Sequence, residues 1–567
     1  MNYKEVYQKW LNKTDIDEDI KVELAAIENN EDEIKERFYT GLKFGTAGLR
    51  GKLGAGTNCM NIYTVGKAAQ ALANTIIDQG KPAMERGVVV CYDIRYQSKV
   101  FAQLTCSILA KNGIVSYIYK GIRPTPMCSY AVRHLHALAG VMVTASHNPK
   151  IYNGYKVYWQ EGSQILDDIA DKIANHMEKL DAFEDVKTMT FEEALQSQLV
   201  HYIEDSVEEA YKKEVLALAI NDDIDKSLNI VYTPLNGVGN LPVREIFQRR
   251  GFSNVFVVPD QEFPDPEFTT VGYPNPEFAS TFAYAERLGK EKNADILIAT
   301  DPDSDRLALE VKDKHGEYVF INGNQIGALL SYYIFSQRFA KNDLPSHPVL
   351  VKSIVTGDFA KTIAKKYGVE TVETLTGFKN ICGKANAYEG SADKQYVFGY
   401  EESIGFCYGT FVRDKDGVSA SMLAAEMAAY YKIRNQSLLD VLEDLYDEFG
   451  YFKERQFSLE LEGLEGQKQI QNIMESFRKH PLEKIEELHL EKIVDYSQGY
   501  LDLPKQNCLK YYLDDGSWYA LRPSGTEPKL KCYIYTVGKT MDDSLSKLDA
   551  IENACQSKIQ AVREELL

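Results

Sequence analysis

Three times along this chain a strand, a helix and further strands succeed one another, and each time the last strand runs into a loop of hydroxyls or carboxylates. The first cycle reads GVVVCYD at 87–93, a helix over 100–111, IVSYIY at 114–119 and the apolar run Ala139–Val143, which stops at TASHNP. The second passes from SLNIVYTP (227–234) through a helix near 241–250 and NVFVV (254–258) to ADILIAT, just before DPDSDR at 301–306. The third runs from VLVKSIVT (349–356) through a helix over 359–367 and VETVETLTG (369–377) to YVFGYEES at 396–403. Such periodicity is that of βαβ units. Open α/β sheets place ligands beyond the carboxyl ends of their strands, so each terminal loop is a candidate site.

After helices at 419–433 and 438–449 the pattern changes to FKERQFSLEL, a helix, SWYALRPS, LKCYIYTV and a long last helix. The expected fold is therefore α/β: three similar mixed-sheet α/β domains plus a smaller C-terminal α+β domain around a central cleft. The expected division is 1–208, with an N-terminal helical extension over 3–40 that includes Val6, Trp10 and Leu11, then 209–323, 324–452 and 453–567. A chain of 567 residues accommodates these domains at roughly 150 residues each.

Composition narrows the partners. A net charge of −19 argues against nucleic acid, which needs a basic surface. It leaves room for a small phosphate ester, since a few cations and backbone N–H groups gathered in one cleft suffice. The first ten residues, MNYKEVYQKW, contain no apolar signal region, and no stretch approaches the ~20 apolar residues of a membrane span, so neither membrane nor export is expected. Nine cysteines without a CxxC pair read as free thiols in a reducing cytoplasm. A monomer and a homodimer fit equally.

The loops carry chemistry. In DPDSDR, Asp301, Asp303 and Asp305 alternate after a strand, so three carboxylate oxygens can converge on one hard cation such as Mg²⁺. An EF-hand is excluded, because Arg306 holds the sixth position, where glycine is needed, and Lys312 the twelfth, where glutamate is needed. A solvated acidic turn remains the plain alternative. In RPSGTEPK, Arg522 offers a bidentate fork, Ser524 and Thr526 add hydroxyls, and the backbone around Gly525 adds N–H donors, which together make an oxyanion receptor. Lys529 is a weaker candidate there. Ser146 and His147, at the strand end, are taken alone as compatible with ordinary turn chemistry.

With FGTAGLRG at 44–51, the segments TASHNP, DPDSDR, GYEES and RPSGTEPK resemble the motif set of the α-D-phosphohexomutase superfamily, the phosphoglucomutases and phosphomannomutases, in order and spacing from Phe44 to the C-terminus. The layout is most similar to the long bacterial phosphoglucomutases and to the animal phosphopentomutase and glucose-bisphosphate synthase branch. The resemblance implies that Ser146 carries a phosphoryl group and that an oxygen of this phosphate completes the metal site of Asp301, Asp303 and Asp305. It implies that His147 polarises that group and that Arg50 and Arg306 face it. Lys156 would exchange a proton with the sugar hydroxyl, its pKa lowered by burial beside Mg²⁺. Glu401 and Ser403 would bind sugar hydroxyls, with Glu402 turned away. Thr376, Gly377 and Lys379 of TLTGFKN would contact the sugar from the other side. Arg522, Ser524, Gly525 and Thr526 would hold the unreactive phosphate, and RPTP at 123–126 would shape the cleft wall.

The implied activity is reversible interconversion of glucose 1-phosphate and glucose 6-phosphate, with glucose 1,6-bisphosphate as intermediate and activator. Within the family, phosphopentomutase, glucose 1,6-bisphosphate synthase and phosphomannomutase remain open. Outside it stand a metal-dependent sugar phosphatase and a phosphosugar-binding scaffold.

Overall fold

The computed structural model describes residues 2–461, 463–524 and 529–564. Its four sheets follow the chain in order. The first has six strands in the order Leu49–Lys52, Tyr152–Trp159, Ala139–Val143, Val88–Tyr92, Ser116–Ile118 and Val200–Tyr202. The last four are parallel, as the βαβ reading requires, while Tyr152–Trp159 returns antiparallel beside Ala139–Val143. The second sheet repeats the device: Ile296–Thr300 is parallel to Ile230–Thr233, and Leu307–Lys312 folds back antiparallel on it. In the third, Gln395–Glu401 is parallel to Pro348–Ser353 and antiparallel to Gly405–Tyr408.

These reversals make the sheets mixed and set the site. In each of the first three sheets a buried parallel strand turns back on itself at its carboxyl end, and the turn is the loop singled out by sequence. The apolar runs VMV and ILIA carry no polar residue because both faces of their strands are covered; Ala139–Val143 and Ile296–Thr300 are buried throughout. The fourth sheet is antiparallel, ordered Tyr451–Glu460, Lys529–Gly538, Trp518–Pro523, Leu509–Leu513, Leu488–Asp495 and Lys484–Ile485, with the helix Met541–Glu564 packed on it.

The N-terminal helices Tyr3–Leu11, Glu18–Ala26 and Glu31–Phe38 enclose a small core of their own in which Trp10 meets Phe38 edge-on, with ring centroids 5.8 Å apart. The helix Asp205–Ala217 runs across the expected division at 208/209. All nine cysteines are free and buried. Among the described residues, no helix is long and apolar enough to cross a membrane.

Candidate active site

The TASHNP turn is held from behind by a residue the sequence reading passed over. The Arg95 guanidinium, buried beside Asp93 at 3.4 Å, donates to the carbonyls of Ser146, Asn148, Pro149 and Tyr152 at 2.5 to 3.2 Å. Four carbonyls on one fork fix the path of the loop. Ser146 thereby keeps a left-handed backbone, φ +50°, which costs about 1–3 kcal/mol in a residue other than glycine and persists only where the surroundings dictate it. The other two loops hold one such residue each, Ser304 at +54° and Ile404 at +56°.

Ser146 is 4% exposed, and its Oγ donates to Asp301 Oδ2 at 2.8 Å and lies 3.2 Å from His147 Nδ1. Asp301 Oδ1 accepts the N–H groups of Asp305 and Arg306 at 3.1 and 3.0 Å. Asp303 Oδ2 accepts from Thr125 at 2.8 Å and from Lys156 at 2.9 Å. Asp305 Oδ2 lies 3.4 Å from Lys156 and 3.0 Å from Lys415. One oxygen of each aspartate lies within 4.8 Å of the others, and Asp303 Oδ1 and Asp305 Oδ1 are buried with no hydrogen-bond partner among the described residues. Buried carboxylate oxygens left without donors are costly unless a cation takes them, so the donor set fits a hard divalent ion.

The charges here are strongly coupled. Burial and the flanking Asp303 and Asp305 push Asp301 well above the usual carboxylate range. Burial would raise Asp303 too, but Lys156 outweighs it and holds Asp303 far below that range. Burial, with Arg306 and Arg50 adding to it, drives the His147 imidazole well below its ordinary value, so the ring is neutral. At Lys156 burial acts to lower the pKa, as expected, but Asp303 and Asp305 prevail and raise it. Arg50 is exposed and donates to Asn148 Oδ1 at 3.1 Å. Arg306 donates through Nη1 to Glu277 at 3.2 Å and to the Ser403 carbonyl at 3.1 Å, which ties the aspartate loop to the GYEES loop.

Glu401 accepts the Gly377 N–H at 2.7 Å, a contact that needs the Gly377 backbone at φ +107°. Burial, and then Glu402, lifts Glu401 to about 7. Glu402 turns away, taking the Thr356 hydroxyl at 2.7 Å and that of Ser353 at 3.3 Å. Arg522 donates to Thr376 Oγ1 at 3.0 Å and to the Tyr533 hydroxyl at 3.2 Å, and its buried Nε has no hydrogen-bond partner among the described residues. The Ser524 N–H bonds the Lys529 carbonyl at 2.7 Å; Gly525 and Thr526 lie outside the described residues. Lys379 sits 3.6 Å from Asp167.

Two groupings thus form, one around Ser146 and the aspartates, the other joining Glu401, Gly377, Thr376 and Arg522, with Arg306 to Ser403 as the link. Besides Arg95, sequence reasoning missed Lys415, which the polar run RDKDG at 413–417 could have flagged, and Lys531. Lys529 pairs with Glu460 at 2.5 Å, its partner in strand register. Lys531 stands opposite Arg522, and burial, then Arg522, lowers its pKa. The RPTP segment does more than line a wall: Thr125 bonds Asp303 by its hydroxyl and, at 2.9 Å, by its N–H to the Asp303 carbonyl.

Residues 41–184, 204–316 and 322–449 match the models of phosphoglucomutase/phosphomannomutase alpha/beta/alpha domains I, II and III. Over 534 residues the chain is 37% identical to a phosphoglucomutase of Staphylococcus aureus (strain MRSA252), covering 92% of this chain and 94% of the relative. It is 38% identical over 537 residues to that of Staphylococcus epidermidis (strain ATCC 35984), at 92% and 96% coverage. The fold is similar to the open form of the exocytosis-sensitive phosphoprotein pp63/parafusin, a phosphoglucomutase from Paramecium, with TM-score 0.68, 20% identity, and 92% and 96% of the two chains covered. A phosphoglucomutase/phosphomannomutase family protein from Burkholderia thailandensis gives TM-score 0.68 at 17% identity, with 92% and 97% covered.

Proposed function

Because the chain belongs to the phosphoglucomutase/phosphomannomutase family, we propose that it is a phosphoglucomutase that interconverts glucose 1-phosphate and glucose 6-phosphate, with Ser146 as the phosphoryl carrier. The observation that carries this reading is the Ser146 hydroxyl, buried at the end of a parallel strand and bonded to Asp301 at 2.8 Å. The staphylococcal relatives bear the same activity in their names.

In the proposed cycle the phosphoryl group passes from Ser146 to a sugar hydroxyl, giving glucose 1,6-bisphosphate; the bisphosphate turns over in the cleft, and its other phosphoryl group returns to Ser146. Asp301, Asp303 and Asp305 would hold Mg²⁺, with a phosphoserine oxygen as a further ligand. When bound, the ion supplies neutralisation of charge on the phosphoryl group. Arg50 and Arg306 hold that group in line, and neutral His147 presents a ring nitrogen beside Oγ. Lys156 exchanges a proton with the sugar oxygen, taking one as that oxygen receives the phosphoryl group from Ser146 and giving one as the phosphoryl group returns, while Ser146 Oγ gains a proton in the first half-cycle and loses one in the second. Glu401 and Ser403 bind the sugar hydroxyls. Thr376, Gly377, Lys379, Arg522, Ser524, Gly525 and Thr526 receive the unreactive end, whichever it is. The division into four units, with one loop per unit, is part of this proposal; the boundaries expected at 208 and 452 fall inside the helix Asp205–Ala217 and the strand Tyr451–Glu460 and are placed just before these elements.

Glucose and mannose 1-phosphates differ only at the 2-hydroxyl, and an unpaired buried acceptor costs about 1–3 kcal/mol, so a roughly ten- to hundredfold preference for glucose is expected. A coupled assay offering glucose, mannose, glucosamine and ribose 1-phosphates, with and without the bisphosphate, tests the reading. Equal specificity constants for glucose and mannose would remove the sugar assignment. Preference for ribose 1-phosphate would replace it with a phosphopentomutase, and release of inorganic phosphate without isomerisation would replace it with a phosphatase.

A further inference from the structure

The segment 263–278, FPDPEFTTVGYPNPEF, runs between the short helix Pro259–Glu262 and the turn Ala279–Phe282. It touches the machinery around Ser146 at four points. Lys150, just past TASHNP, pairs with Glu267. Phe268, fully buried, lies under the Arg95 guanidinium, 5.1 Å from its ring centre. Tyr273 meets the His147 ring edge-on, with centroids 6.2 Å apart. Glu277 accepts from Arg306 Nη1 at 3.2 Å.

Glu277 is itself held in place. Buried Asn275 donates its side-chain amide to Glu277 Oε2 at 3.3 Å and accepts the Glu277 N–H at 3.1 Å. Pro274 and Pro276 restrict the backbone on either side of Asn275. At Arg306, Glu277 and the Ser403 carbonyl both occupy the Nη1 corner, while buried Nε has no hydrogen-bond partner among the described residues. The Nε side of the fork faces Asp305 Oδ1 at 3.9 Å, beyond hydrogen-bond reach, and is the edge that can turn two parallel bonds to a tetrahedral oxyanion. Glu277 acts on the Arg306 charge more strongly than Asp305, Asp301 or Asp303 of the loop itself, and among the described residues it is the one of these four that hydrogen-bonds the guanidinium, so it supplies direction as well as charge.

We propose that Glu277 is a positioning residue that aims the Arg306 guanidinium at the phosphoryl group carried by Ser146, with the 263–278 segment as its rigid mount. The inference rests on the phosphoserine mutase reading above. Glu277 makes no contact with the reacting atoms and acts through Arg306.

Full-length Glu277→Ala and Glu277→Gln proteins test it by two readouts: steady-state kcat and KM on glucose 1-phosphate, and the rate at which glucose 1,6-bisphosphate phosphorylates Ser146, followed by intact mass. For Glu277→Ala a fall of about 10²-fold in kcat and in the phosphorylation rate is expected, with KM changed less than about threefold, because misaiming by a fraction of an ångström costs rate rather than ground-state binding. Glu277→Gln keeps an acceptor at the same place and recovers most of the loss. An unchanged melting temperature for Glu277→Ala separates this from a folding defect. Wild-type rates in Glu277→Ala, or a loss confined to KM, would overturn the positioning role while leaving the mutase reading intact. A wild-type protein whose Ser146 is never phosphorylated would overturn both.

Discussion

Arg95→Leu is the substitution that most directly separates loop position from stability. The wild-type guanidinium makes four hydrogen bonds to carbonyls of the Ser146 turn and faces Asp93, and both side chains are fully buried. Removing one partner of a buried ion pair costs about 3–5 kcal/mol, chiefly because the other charge stays buried and unpaired. The single mutant should therefore lose stability on that scale. Asp93→Asn in the same protein removes the stranded charge, while the new amide can still accept from the Arg95 N–H and Ser98 hydroxyl that now bond Asp93 at 2.9 and 2.7 Å. Most of the stability should return in the double mutant. Activity should not, because nothing then holds the carbonyls of residues 146–152, and an ångström of drift in Ser146 is worth about 10²-fold in rate. Urea denaturation and a coupled glucose 6-phosphate assay on wild type, both single mutants and the double mutant make the cycle. Recovery of both stability and activity in the double mutant would refute the claim that Arg95 sets the position of Ser146.

Exhaustive chelation should abolish turnover with little change in melting temperature, and Asp303→Asn should do the same even with Mg²⁺ in excess; activity surviving either treatment would remove the metal assignment. Glu401, at about 7, should impose an inflection near neutrality, with activity rising with pH as the carboxylate becomes the acceptor for a sugar hydroxyl; Glu401→Gln should flatten that limb and slow both directions. Glu310, 1% exposed and raised to about 8 by burial and then by Glu286, contributes to stability with a definite sign. Its folded-state pKa lies above the ordinary value, so its neutral form favours the fold at low pH and that contribution fades as pH rises through 8; Glu310→Gln should raise the melting temperature more at pH 9 than at pH 6.

The parts of the site that lie at strand ends were legible, because a buried parallel strand writes itself as an uninterrupted apolar run. Ala139–Val143 and Ile296–Thr300 begin or stop within two residues of where VMV and ILIA indicate, and Ser146 and Asp301 follow directly. The antiparallel return after each loop was harder to see, since the strand Leu307–Lys312 is as apolar as its neighbour and no turn glycine separates them; the reversal is made by Ser304 in a left-handed conformation that sequence does not announce. The helix Ile62–Ile77 was not read, because most of it is buried and its polar side is only the narrow line of Tyr63, Lys67, Gln70 and Asn74. Arg95, Lys415 and Glu277 were passed over for another reason. Each is a charged residue that gains its meaning only from a distant partner, Ser146 for Arg95 at 51 positions, Asp305 for Lys415 at 110 and Arg306 for Glu277 at 29. Lys529 and Lys531 share one strand face, and only the register, Glu460 opposite one and Arg522 opposite the other, tells which faces the receptor.

The central claim is that Ser146 carries the phosphoryl group, and intact and peptide mass spectrometry after incubation with glucose 1,6-bisphosphate tests it most directly. One phosphate on Ser146, discharged when glucose 1-phosphate or glucose 6-phosphate is added and absent from a folded but inactive Ser146→Ala protein, is the predicted result. Turnover by Ser146→Ala at the wild-type rate, or a single phosphate that resides on another residue and exchanges with substrate, would contradict it.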